Sequence, residues 1–171
     1  CFPITVTGVG TIGSSYGLVS VCLNINHTYD GDLFIYLRAP DNTIIVLSNQ
    51  NGGSNNNYTG TCFTMTASTQ IQNGVAPFTG TFRPEENLGF VNNGQNANGV
   101  WQLCIRDVTL GDAGSLLNWS LNFGSSPAPP PPPTPPCNGN DPASNNCETA
   151  THICSFSGYC GNTDRKSTRL N

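Results

Sequence analysis

Lysine is absent from this chain until Lys166, and only six of its 171 residues are basic. So little positive charge excludes the clustered Lys/Arg footprint that a nucleic-acid partner requires. No apolar run approaches the roughly 20 residues that span a bilayer, so no membrane span is expected. Cys1 stands first with no Met and no apolar leader before it, and the chain reads as an internal piece of a longer protein. No apolar stretch keeps a helical period for a useful length. No CxxC pair occurs, which argues against a zinc ribbon or a thioredoxin-type site.

The chain is rich instead in Asn, Gly, Ser, Thr and cysteine. Such a composition suits short strands joined by many turns. Four cysteines (Cys1, Cys22, Cys62, Cys104) are spread over the first part, and four (Cys137, Cys147, Cys154, Cys160) cluster near the end. An even number of widely spaced cysteines points to disulfides and to a secreted or cell-surface, extracellular location.

Composition divides the chain into four stretches. Residues 1–124 carry the strand patterns. Residues 125–136, SSPAPPPPPTPP, form a proline-rich linker that favours an extended polyproline II rod of roughly 35–40 Å. Residues 137–163 form a short Cys-rich fragment, too small to bury a core and dependent on disulfides for any fixed shape. Residues 164–171, DRKSTRLN, hold three of the six basic residues and resemble one reading frame of a sequencing adapter, so they are read as a non-native tail. Without them three arginines face nine carboxylates, an excess of six negative charges.

Within 1–124 the apolar residues alternate. In GLVSVCLNI, Val19, Val21, Leu23 and Ile25 share one face and Ser20, Cys22 and Asn24 the other. DLFIYL and TIIVL flank RAPDN and form a hairpin. GVWQLCIRD sets Trp101, Leu103 and Ile105 on one face, and SLLNWSLNF does so with Leu117, Trp119, Leu121 and Phe123. The expected fold is all-β, an antiparallel jelly roll or β-sandwich. Both tryptophans fall on core phases, which leaves Tyr58, in the polar stretch Asn49–Thr61, as the one exposed aromatic able to stack on a sugar. The sequons at Asn26, Asn57 and Asn118 matter only in a eukaryotic secretory pathway, and the reading without glycan is favoured.

Three separated motifs then occur in order: HTYDGDLFIYLRAPDNT, APFTGTFRPE and GVWQLCIRDVTLGDAGSLLNWSLNF. Together, over about residues 3–124, they resemble the P domain (P/Homo B domain) that follows the catalytic domain of kexin- and furin-like subtilisin proteases, in its secreted bacterial form. The resemblance implies a β-barrel or jelly-roll module without catalytic residues. It implies a non-catalytic accessory role in a secreted serine endopeptidase, with the catalytic domain of the same parent chain as partner. The rival is an adhesion or carbohydrate-binding module of a bacterial surface protein, with a cell-surface or glycan ligand.

The resemblance also sets DLFIYL antiparallel to WQLCIRD, which would bring Asp107 near Asp32. Asp30, Asp32, Asp107 and Asp112 then become a candidate calcium set, since calcium takes hard oxygen ligands. The plainer reading makes each aspartate a turn cap. His27 is expected to be a hydrogen-bonded corner residue. For the first four cysteines two pairings stand open: Cys22–Cys62 with Cys1–Cys104, or Cys22–Cys104.

Overall fold

A computed structural model describes residues 1–130; the Cys-rich fragment and the tail lie outside the described residues. Eight strands form: β1 (Phe2–Val6), β2 (Gly17–His27), β3 (Leu33–Arg38), β4 (Ile44–Asn49), β5 (Tyr58–Thr64), β6 (Phe78–Phe82), β7 (Gly99–Asp107) and β8 (Gly114–Gly124). They make two four-stranded sheets, ordered β1-β7-β3-β4 and β6-β5-β2-β8. The fold is thus an all-β sandwich, as the alternating pattern requires. Among the described residues no helix is long and apolar enough to cross a membrane.

Alternation builds the core. Leu33, Ile35 and Leu37 of β3, Ile45 and Leu47 of β4 and Trp101 and Leu103 of β7 are all buried. Val21, Leu23 and Ile25 of β2, Phe63 of β5 and Phe78 and Phe82 of β6 come from the other sheet. Each such side chain stabilises the fold by about 1.5–3 kcal/mol relative to exposure. The Trp101 indole packs edge-on against Phe123, with centroids 5.6 Å apart, and donates its N–H to Ala97 O at 2.8 Å. Trp119 packs at the margin of the core.

Two inward positions differ from strict alternation, both at β-bulges. In β2 Leu18 is fully buried and Val19 only half-buried, because Leu18 pairs Phe123 while Ser20 pairs Asn122, leaving Val19 as an extra residue. In β8 Leu116 packs on the core and Leu117 is 57% exposed, because Asn24 pairs Asn118 while Ile25 pairs Leu116. The β5–β6 pair is parallel, not antiparallel. Residues 65–77 supply the crossover of about a dozen residues that a parallel pair needs.

Cys1 bonds Cys104, and Cys22 bonds Cys62. Cys22 and Cys62 are directly opposed on β2 and β5. Buried Asn92 joins three segments: its Oδ1 accepts from Leu18 N at 2.8 Å, and its Nδ2 donates to Leu18 O and Ala128 O. Ala128, in the proline-rich stretch, is itself buried and donates its N–H to Leu18 O.

Candidate functional site

The end of β2, the 3₁₀ turn Asp30–Asp32 and the end of β7 meet at one corner of the sandwich. The pairing of Leu33 with Asp107 sets this meeting, and Val108 N donates to Asp32 O. His27 is buried. Its Nε2 lies 3.2 Å from Asp107 Oδ2, and its Nδ1 lies 2.9 Å from Tyr29 O. Both ring nitrogens are thereby engaged inside the corner. Asp112 Oδ1 accepts from the Thr28 hydroxyl at 2.8 Å.

Asp30 is fully buried. The Asn/Gly-rich stretch Asn49–Thr61 wraps it: Asn57 N donates to Asp30 Oδ1 at 2.8 Å, Asp30 N donates to Asn55 O, and Gly31 N donates to Gly53 O. Gly52, at φ +97°, fits here because a Cβ would come within 2.9 Å of Asp30 Cβ and of the Phe78 ring. Asp30 Oδ2 is buried without a hydrogen-bond partner. Burial pushes the Asp30 carboxyl up to about 6, against the opposing pull of the Asn57 N–H and the His27 charge.

Tyr58 is not the exposed stacking residue that its polar neighbours suggested. It is 1% exposed, packs against Phe78 and bonds the Ser48 hydroxyl at 2.9 Å. Burial raises its phenol pKa, with the Ser48 bond opposing and the charges of Asp30 and Glu85 adding to the rise. The aromatic ring supplies a core surface, and the hydroxyl's need for a partner is met internally.

The four candidate aspartates do not form a common ligand set. Among the described residues no three His, Cys, Asp or Glu side chains converge in a way that would hold a metal ion. Asp107 is engaged by His27 and Asp112 by Thr28, as above, while the free oxygen of Asp30 is enclosed by the Asn/Gly stretch.

A nucleophile motif also bears on the corner. Gly13–Gly17 reads GSSYG, the G-x-S-x-G spacing of a nucleophile elbow. Ser15 lies in the turn before β2, closed by Gly13 N donating to Tyr16 O, whereas His27 ends that strand. At about 3.3 Å per residue the strand holds them roughly 30 Å apart, so they cannot act together. Ser115 does share with His27 the lining of a cavity of about 210 Å³ between the sheets. Both nitrogens of that imidazole are already taken, so it is not placed to accept a serine proton.

The chain has relatives among known proteases. A family model described as the proprotein convertase P-domain matches residues 17–123, from the first residue of β2 to the next-to-last of β8. Leupeptin-inactivating enzyme 1 of Streptomyces exfoliatus is 35% identical over 121 residues, covering 71% of this chain and 21% of that protein. Transglutaminase-activating metalloprotease of Streptomyces mobaraensis is 31% identical over 121 residues, covering 71% and 12% respectively. A crystal structure of a serine protease of Aeromonas sobria matches at 20% identity and a TM-score of 0.30, covering 72% of this chain and 23% of that one. The chain thus spans about a fifth or less of the length of these curated relatives.

Proposed function

The chain belongs to the proprotein convertase P-domain family, and from that premise we propose that it is the non-catalytic accessory domain of a secreted protease. One observation carries the reading. The family match coincides with β2–β8, and the two curated relatives, an inactivating enzyme and a metalloprotease, extend far beyond the shared segment. The partner on this reading is the catalytic domain of the same parent chain, and the role is to stabilise it. The location is extracellular, in keeping with a domain that carries two disulfides.

The corner supports a structural role over a chemical one. His27 and Asp107 engage each other, and a buried aspartate organises a loop. For the protease class, the resemblance favours a subtilisin-like serine endopeptidase. The name of the Streptomyces mobaraensis relative supplies the competing class, a metalloprotease. The glycan-binding rival loses Tyr58, the stacking residue it was read on, to the core. For calcium the support is narrow, namely the one buried, unpartnered oxygen of Asp30. The matching test compares melting in excess calcium and in chelator; identical midpoints would remove calcium from the account.

The accessory role is tested by producing the parent protease with and without residues 1–124. The expected result is a marked loss of folded, active enzyme in the deletion, with residual activity decaying faster. Equal yield and equal half-life would overturn the stabilising role.

A further inference from the structure

Four strands end the two sheets: β1, β4, β6 and β8. An end strand offers its outer N–H and C=O groups to another strand unless something blocks them. Three of the four are blocked. β1 is five residues long and contains Pro3, which has no N–H to give. β4 is covered by Glu85 and Glu86. Val46 N donates to Glu86 Oε2 at 2.7 Å and Asn49 N to Glu85 Oε1 at 2.8 Å, while Glu85 N and Glu86 N donate to Leu47 O and Val46 O. β6 is five residues long and is interrupted by Gly80 at φ +95°.

β8 differs. It runs for 11 residues and carries neither proline nor charge. The bulge at Leu117 bends only its first part, and from Asn118 to Gly124 the strand has no extra residue. Among the described residues, no backbone group of Asn118–Gly124 bonds anything but β2. The chain leaving β8 runs toward β2, away from the open edge, where Ala128 N donates to Leu18 O. The inward side chains Trp119, Leu121 and Phe123 are only half-buried, whereas Val21 and Leu23 on neighbouring β2 are closed to solvent. The core therefore thins toward this edge, as it would where a further strand belongs.

The regular part of β8 is complementary to itself. A second copy set antiparallel about Leu121 places Leu121 opposite its own mate, Trp119 opposite Phe123 and Ser120 opposite Asn122. Apolar carbon meets apolar carbon on the inner side, polar groups meet on the exposed outer side, and such cross-strand pairs are stabilising. Charge favours the same arrangement. Seven carboxylates outnumber three arginines over residues 1–130, so two copies repel over most approaches, but this strand has no charge to oppose. The antiparallel sense also sets Asp107 and Asp112, which lie before β8, near the uncharged Gly124–Ser126 of the other copy and away from each other.

We infer that Asn118–Gly124 is a self-association edge, at which two copies of this chain join β8 to β8 about a two-fold axis and continue the sheet. The contact uses the same strand on both copies, so it closes at two. It stands apart from the accessory-domain reading and does not depend on which protease the parent is. The test is sedimentation velocity of the 171-residue protein from about 1 to about 200 µM, with a monomer–dimer equilibrium expected on the order of 10–100 µM for an interface of this small size. Ser120→Lys/Asn122→Lys apposes lysines across the two-fold and should weaken the dimer by about 10-fold or more; Ser120→Glu/Asn122→Glu should do the same. Mixing these two variants should restore a dimer, which a mere folding defect could not do. Thr79→Lys/Thr81→Lys, exposed on β6 of the same sheet, should leave dimerisation unchanged. A monomer at every concentration would overturn the inference. So would a dimer equally strong in all variants, an open-ended assembly, or a dimer that survives non-reducing SDS and is therefore held by disulfides.

Discussion

The two outer faces of the sandwich obey the same period-two alternation, and each is crossed by one disulfide, yet their chemistry is opposite. The β6-β5-β2-β8 sheet turns outward Asn24, Asn118, Ser120, Asn122, Thr79 and Thr81, and Asn24 Nδ2 donates to Asn118 Oδ1 at 2.7 Å. The other sheet turns outward Phe34, Tyr36, Arg38 and Arg106. A sandwich requires only that its outer faces tolerate water, and short polar side chains do so. The Asn/Ser/Thr face meets that requirement, with Leu117, the extra residue of the β8 bulge, exposed beside it. The other face adds the half-buried rings of Phe34 and Tyr36 and half-buried Arg38 beside exposed Arg106.

The largest expected effect comes from the disulfides. Cys1–Cys104 and Cys22–Cys62 join residues 103 and 40 positions apart. Loop-closure entropy alone makes them worth about 5 and about 4 kcal/mol, so the paired Cys→Ala variants should both destabilise strongly, the first somewhat more. Denaturant unfolding of the two double variants measures the difference; a much larger loss for Cys22–Cys62 would mean that native strain or residual structure outweighs loop length.

The corner that joins the two sheets should show a pH dependence. Asp30 titrates near 6 in the fold and near its ordinary value of 3.8 when unfolded, so the folded state holds the extra proton between those values. Its contribution is therefore most favourable below about pH 4 and is lost as pH rises through 6, by roughly 1–3 kcal/mol. Asp30→Asn should flatten that part of the stability–pH curve. A wild-type curve that instead rises from pH 4 to 7, unchanged by the substitution, would show that Asp30 is solvated or paired.

Smaller effects separate the faces directly. Tyr36→Ser removes half-buried carbon beside the Cys1–Cys104 bridge and should cost about 1–2 kcal/mol. Asn118→Ala on the polar face should cost less than about 1 kcal/mol, since its bond to Asn24 is exposed. Arg38→Gln/Arg106→Gln should change stability by no more than about 0.5 kcal/mol, because these arginines have no partner in the fold to lose. A substantial loss in that variant would make them structural and remove the contrast.

Much of this architecture could be read along the chain, because alternation exposes which face is buried. Val21, Leu23, Ile25, Trp101 and Leu103 were legible from spacing alone. The places where spacing misled have a shared cause: Val19 and Leu117 are the extra residues of β-bulges, and a bulge shifts the phase without marking it locally. Tyr58 misled for another reason. Its neighbours are polar, but it opens β5 and turns inward, so local composition said nothing of its burial. The parallel β5–β6 pair is a property of the crossover, which no strand pattern encodes. At the corner, the approach of β3 to β7 was foreseen through the resemblance. That His27 would take Asp107, and that Asp30 would be enclosed by the Asn/Gly stretch, depends on loop paths set by tertiary packing.

The most direct measurement is the coding sequence on the N-terminal side of Cys1 in the parent gene. The account predicts a protease catalytic domain there, with its nucleophile or metal ligands intact and ending close to β1. Repeated β-modules with no catalytic residues would contradict it and make the sandwich a surface-binding module.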